Sequence, residues 1–311
     1  MAEKVKQLAS RSTRIHLSTE DRIFTVLNYI FWGLVLLIIL YPLYLIVISS
    51  VSDPYAVMNG EVLFFPVDFS LVGYERIMKY NTLWRSYYWA VIYTVSGTVL
   101  GISLTMLMAY ALSNKFPGKT IVNFIIIFTM FFSGGLIPTF LVMKDIGLYN
   151  KPIIMVLMGA MSVWNTMIAR TYISTSIPGE LYEAAMIDGS DHFQYFFKIV
   201  LPLSGTIVAV LSVYYAVAKW NDFFTALVYL RDSKYWPLQT VLRQILAALT
   251  VSAGDVAEMF EGDYTDVAET LRVSNVVKYC AIIISTIPAV ALYLLMQDYF
   301  VKGVMIGSIK G

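Results

Sequence analysis

Apolar residues collect in long runs that contain no Asp, Glu, Lys or Arg, at 24–52, 86–114, 120–143, 152–169, 199–218 and 279–297. A helix rises roughly 1.5 Å per residue and needs about 20 residues to cross the hydrocarbon of a bilayer. The pattern therefore predicts an all-α integral membrane protein with six transmembrane helices, the fourth run being the shortest. Polar segments separate the runs: an arm at 1–23, a loop at 53–85, short connections at 115–119 and 144–151, a longer one at 170–198, a segment at 219–278 and a tail at 302–311. Residues 24–311 read as one transmembrane domain. The chain has 58% hydrophobic and 14% charged residues and a mean hydropathy of +0.69, which excludes an ordinary soluble domain. The single cysteine, Cys280, lies in the last run, so no internal disulfide forms. The first run is too long for a signal-peptide core and lacks a small-residue cleavage site, so it is expected to remain as a helix.

Charge bears on orientation. With the N-terminus inside, Lys and Arg divide evenly between the two sides. Long loops count little in the positive-inside rule, however, and 219–278 supplies much of the outside share. Lys115 and Lys119, and the arm with Lys4, Lys6, Arg11, Arg14 and Arg22, lie close to span ends. That weighting predicts both termini in the cytoplasm, with the arm against anionic membrane lipid. A net charge of +1 gives no sign of nucleic acid.

Local signals refine the elements. Asp53-Pro54 and Phe65-Pro66 mark turns, and Leu71 to Tyr80 reads as a short amphipathic helix leading into span two. Pro42 is a possible kink in span one, and Tyr29, Trp32, Tyr41 and Tyr44 are interfacial anchors. Ser96, Gly97, Gly101 and Ser103 allow close helix contact in span two. Phe132-Ser-Gly-Gly135 and Pro138 in span three would let the helix bend or a neighbour approach closely, and read as packing rather than as part of a substrate passage. Gly118-Lys119-Thr120 ends like a phosphate loop, but Ser113 stands where its first glycine belongs and an apolar helix precedes it, so no nucleotide site is expected there. The acidic run Asp255, Glu258, Glu261, Asp263, Asp266 and Glu269 lacks calcium-loop spacing and reads as a solvated face.

The most informative loop is 176–202. Pro178 suits a helix start, Glu180 and Glu183 complement its positive end, and Leu181, Ala184, Ala185 and Asp188 recur at helical spacing. Gly189 is placed to end this helix, Ser190 or Asp191 to cap the next, and Phe193, Phe196, Phe197 and Val200 to form one apolar stripe up to Pro202. An ordinary helical hairpin on the membrane surface is the simplest structural account. The order Glu183-Ala-Ala, three residues, Gly189, nine residues, Ile199, one residue, Leu201-Pro202 nevertheless resembles, without a gap, the signature loop of binding-protein-dependent ABC importer permeases of type I.

That resemblance implies a cytoplasmic coupling helix in which Glu183, Ala184, Ala185, Asp188, Gly189 and Pro202 transmit movement from an ATPase. It implies a second homologous permease, two ATP-binding subunits that hold ATP and Mg, an extracellular or periplasmic sugar-binding protein, and a place in the bacterial cytoplasmic (inner) membrane. This chain would then be non-catalytic and hold no cofactor. Phe132 through Asn150 and the tail Tyr299 to Gly311 resemble sugar permeases of the maltose-transporter and oligosaccharide type, implying carbohydrate uptake.

The residues carry their own version of that argument. A proton- or sodium-coupled carrier commonly places a carboxylate within a span, and none of the six runs has one. His16 and His192 are the only histidines, and no Ser-His-Asp set for covalent chemistry is visible. Asn165 in span four is a pathway candidate or an interhelical hydrogen-bonding group. Tyr214, Trp220, Asn221 and Asp222 have the amide, carboxylate and aromatic chemistry that suits sugars, with membrane anchoring as the other reading. A self-sufficient secondary transporter predicts inverted repeats or charged midplane groups, which are not found. A membrane scaffold that only recruits a soluble partner is the remaining alternative.

Overall fold

The computed structural model describes residues 18–79, 81–249, 275–294 and 297. The acidic run 255–269, the tail 302–311 and most of the arm lie outside the described residues. Helices account for the regular structure among the described residues. α1 (Thr19–Ser50) begins before the predicted boundary because Ser18 and Asp21 form a capping box, each side chain accepting from the other's backbone N–H at 3.1 Å. It runs on through Pro42 as one helix. Its apolar stretch is unburied within this chain. Among the described residues it meets the rest of the protein near its C-terminal end, where Ile48, Ser49 and Ser50 are buried and the Tyr41 and Tyr44 hydroxyls donate to the carbonyls of Leu63 and Phe64.

Two short helices follow, α2 (Pro54–Met58) and α3 (Val72–Met78). Asp53 caps α2 by accepting from the Tyr55 N–H, and α3 is the expected entry helix. α4 (Asn81–Ser113) is the central element and packs mainly against α8 (Val163–Ser176) and α11 (Gly205–Trp220). Its small residues explain that closeness. A Cβ on Gly101 would lie 2.8 Å from the Tyr215 ring, and one on Gly97 would lie 2.8 Å from Lys219 Cε.

Apolar patterning predicts straight spans where the chain breaks. The third run forms α5 (Lys119–Phe131) and α6 (Leu136–Asp145), bent by 111°. Gly135 sits in the bend with φ 82° and ψ 178°, a conformation essentially reserved for glycine, and nothing lies within 4 Å of where its Cβ would be. Bending, and not packing within this chain, accounts for it. The fourth run is not one helix: α7 (Ile153–Leu157) and α8 are separated by Met158 to Ser162. In the fifth, α10 (His192–Leu203) meets α11 at 80°. Pro202 has no N–H to give and crowds the preceding turn, and the helix before it widens to a π turn over Phe196–Val200. α1, α4 and α14 (Asn275–Leu294) are each long and apolar enough to span alone, and counting each bent pair as one span brings the total among the described residues to five.

Two further helices, α12 (Phe224–Tyr229) and α13 (Leu238–Leu249), lie between α11 and α14. α12 packs near the loop at 144–151, and α13 packs against α4. Asn150, at φ 58°, donates its N–H to Tyr229 O and accepts both the Arg231 and Asp232 N–H groups on Oδ1 at 3.0 Å. One left-handed asparagine thus joins two connections far apart in the chain.

Candidate functional site

α9 (Gly179–Ile187) is the first helix of the 176–202 loop. Pro178 stands just outside it as the N-cap, with ψ 140°. At the other end Gly189 has φ 81°, its N–H bonds to Met186 O at 3.1 Å, and the Ser190 N–H bonds to Ala185 O at 2.9 Å. This is a Schellman turn, which satisfies the last carbonyls of the helix and requires a left-handed residue. Asp191, of the two expected caps, closes the next helix by accepting from the Gln194 N–H at 2.7 Å.

Helical spacing sorts the loop's residues by role. Ala185 is buried against a core that includes Tyr110, Ala169, Ile173, Tyr195 and Phe196. Glu183, Ala184, Asp188 and Gly189 are exposed, and Ile187 is 86% exposed. The expected stripe on the second helix splits. Phe196 and Val200 are buried while Phe193 and Phe197 are exposed, the two i, i+4 pairs lying on adjacent edges of the helix so that only one edge faces the core. Pro202 lines an apolar groove of about 540 Å³ with Met106, Phe196 and Phe197, beside the 80° bend.

Aromatic contacts fasten the loop to the hub. Tyr110, near the end of α4, hydrogen-bonds its hydroxyl to His192 Nδ1 at 3.0 Å, and Tyr182 packs on both His192 and Tyr195. Packed rings and one hydrogen bond thereby connect α9 to α4 and α10.

The five pathway candidates do not gather at one place. Asn165 is buried in the first turn of α8, whose N-terminus is capped by Ser162. Tyr214 is half exposed, whereas its neighbour Tyr215 is buried. Asp222 caps α12 by accepting the Thr225 N–H at 3.0 Å. Trp220 and Asn221 both line a cleft of about 460 Å³ between the end of α11, α13 and α14. Trp220 is fixed there by donating Nε1 to Ser285 O at 3.1 Å and by an edge contact with Tyr87.

Two residues outside that candidate set organise the bundle. The Tyr215 hydroxyl bonds Thr105 Oγ1 at 2.6 Å and accepts the Ser162 N–H at 3.0 Å, joining α4, α8 and α11. Lys219, 7% exposed, donates Nζ to the carbonyls of Met155, Val156 and Met158 at 2.8, 3.3 and 2.5 Å. These carbonyls end α7, where the fourth run breaks, so the lysine supplies the donors that a continued helix would have provided. The signal in the sequence was a lysine that closes the 199–218 run directly before Trp220.

The family model for the inner membrane component of binding-protein-dependent transport systems matches residues 97–306. The polygalacturonan/rhamnogalacturonan transport system permease protein YtcP of Bacillus subtilis (strain 168) is 36% identical over 94% of this chain and 100% of its own length. Protein LplC of the same organism is also 36% identical, over 96% of this chain and 98% of its own. Among solved structures, a bacterial ABC transporter involved in the import of the acidic polysaccharide alginate matches with a TM-score of 0.81 and 33% identity, over 91% of this chain and 98% of that one. With its bent helices, its helical hub and a family match across most of its length, the chain belongs to the inner membrane components of binding-protein-dependent transport systems, the permeases of ABC importers.

Proposed function

We propose that this protein is a carbohydrate-importing permease subunit, that its substrate is an oligosaccharide, and that α9 docks on a cytoplasmic ATPase. The names of its relatives, which concern polygalacturonan, rhamnogalacturonan and alginate, support the substrate class. The observation that carries the coupling role is the division of α9 into two faces. Ala185 faces the core while Glu183, Ala184, Ile187 and Asp188 face outward, on a helix closed by a rigid glycine turn. Small and apolar groups on an exposed face suit a protein partner, and the buried face suits force transmission.

In this reading the termini are cytoplasmic, and the arm before α1 lies against inner-leaflet lipid. A second permease completes the pathway, and two ATP-binding subunits hold ATP and Mg. An extracellular or periplasmic binding protein delivers the sugar. ATP binding closes the ATPase pair and moves α9; the aromatic cluster at Tyr110, Tyr182 and His192 carries the motion into α4, and the bends at Gly135 and Ser204 let segments rotate. Hydrolysis resets the state. Asn165, Tyr214, Trp220, Asn221 and Asp222 remain pathway candidates, of which Trp220 and Asn221 have the strongest support because they line a cleft.

The test is Glu183→Ala and Gly189→Val in the assembled complex, scored by co-purification of the ATPase and by ATP hydrolysis stimulated by the binding protein. Loss of either, with the complex otherwise intact, is expected. Unchanged association and stimulation would refute the docking role and return the scaffold reading.

A further inference from the structure

We propose that the cleft between α11, α13 and α14 is a binding site for the carboxylate of an acidic sugar residue. This rests on the carbohydrate-import reading above and adds the charge of the substrate and the residues that recognise it. The cleft's volume of about 460 Å³ falls within the roughly 300–1,000 Å³ of small-molecule sites. Its walls combine three kinds of group. Trp220 and Phe223 present rings, Asn221 and Gln239 present amides, and Arg243 and Lys278 present cations.

Among the described residues no carboxylate lines the cleft. Among the described residues the one ion pair is Lys234 with Asp232, which is elsewhere. Asp222, next to the lining residues in sequence, spends an oxygen on the Thr225 N–H and does not line the cavity. The Arg243 guanidinium lies 4.5 Å from the Phe223 ring centroid, a stacking that holds its plane and leaves its donors to reach sideways. Lys278 Nζ donates to Asn275 Oδ1 at 3.2 Å and retains further donors. The two cations come from α13 and α14, the helices on either side of residues 250–274, so they converge by folding and not by sequence proximity.

The chemistry of this set is selective. Aromatic faces and amides suit any sugar, through its C–H faces and hydroxyls. Two cations in one cleft, with no counter-charge there among the described residues, favour a uronate over a neutral hexose, since a carboxylate can accept from Arg243 in fork geometry while Lys278 supplies a second, compact charge. Arg243 is exposed, so it keeps its hydration until a ligand displaces the water.

The test is equilibrium binding of trigalacturonate and of its methyl-esterified form to the detergent-purified complex without its binding protein, for wild type, Arg243→Gln, Lys278→Gln and the double variant. The acid form should bind wild type at least about tenfold more tightly than the ester, a ratio equivalent to about 1.4 kcal/mol. Each single substitution should erode that ratio, the double variant should abolish it, and Arg243→Lys should retain part of it. Binding of the ester should change little, which also shows that the variants are folded. Equal binding of acid and ester by wild type would overturn the proposal. So would substitutions that weaken both forms alike, the result expected if the cations pair with the chain's own acidic run at 255–269 or with the second permease. The import reading has a separate readout: it fails if no binding protein with its sugar stimulates ATP hydrolysis by the wild-type complex, whatever the cleft binds.

Discussion

Gly97→Ala is the sharpest probe of how the broken fourth run is held. On helix propensity alone the change stabilises an interior helical position by about 0.5–1 kcal/mol. Here the new methyl would lie 2.8 Å from Lys219 Cε, 3.0 Å from Cδ and 3.1 Å from Cγ. A free lysine would swing aside at little cost. Lys219 is not free, because its ammonium is tied to the carbonyls of Met155, Val156 and Met158. Moving the stem lengthens those bonds. Overpacking of this kind costs about 1–3 kcal/mol, and losing one hydrogen bond to a charged group costs about 1.5–3 kcal/mol. The steric terms outweigh the propensity gain, so Gly97→Ala should destabilise by at least about 1.5 kcal/mol, the sum when both costs are at their low end and the gain at its high end.

Replacing the lysine reverses the sign. In a Lys219→Ala background the stem is gone and the propensity term stands alone, so the same Gly97→Ala change should be neutral or mildly stabilising. The assay is a four-variant cycle on the purified complex, with the thermal midpoint read by gel filtration after heating. Lys219→Ala alone should lower the midpoint, since it leaves a cavity and three carbonyls without their donor. The reasoning is refuted if Gly97→Ala raises the midpoint while Lys219 is present, or shifts it equally in both backgrounds, because the two sites would then be independent.

Other consequences follow from single residues. Tyr215→Phe should cost about 1–3 kcal/mol, because the Ser162 N–H and the Thr105 hydroxyl both lose their partner while the ring remains; the midpoint of the purified complex measures it. Asn150→Ala should be more damaging than Asn150→Gly by the same measurement. Both lose the acceptor for the Arg231 and Asp232 N–H groups, but only alanine also carries a left-handed penalty of about 1–2 kcal/mol. Gly135→Ala should impair folding or transport although space is open around it, whereas Gly134→Ala, with its nearest contact an ordinary 3.7 Å from Pro138 Cβ, should be accepted. Equal effects at the two glycines would remove the conformational account of the 111° bend.

What the sequence disclosed and what it withheld divides along the range of the interactions involved. The turn at Gly189 was legible because everything that makes it lies within a few residues: the acidic first turn, the glycine after the last helical position and the aspartate cap of the next helix. The breaks were harder to see. An apolar run reads the same whether the helix inside it is straight or bent, since hydropathy reports burial in lipid and not backbone direction. Gly135 and Pro202 marked two of the breaks; the third, at Met158 to Ser162, depends on a donor about 60 residues away. The same limit separates Tyr214 from Tyr215. Both are tyrosines in one apolar helix, and only the approach of α4 at Gly101 and the cap at Ser162 decide which one is buried. A lysine at the edge of an apolar run reads naturally as the edge of the membrane. Lys219 has a different cause: irregular backbone at membrane depth needs donors, and a buried lysine is best placed where helix-ending carbonyls converge. In a span flanked by a glycine-containing helix, such a lysine therefore points to a broken helix next door, and the search for it belongs on the elements that follow and precede it in space.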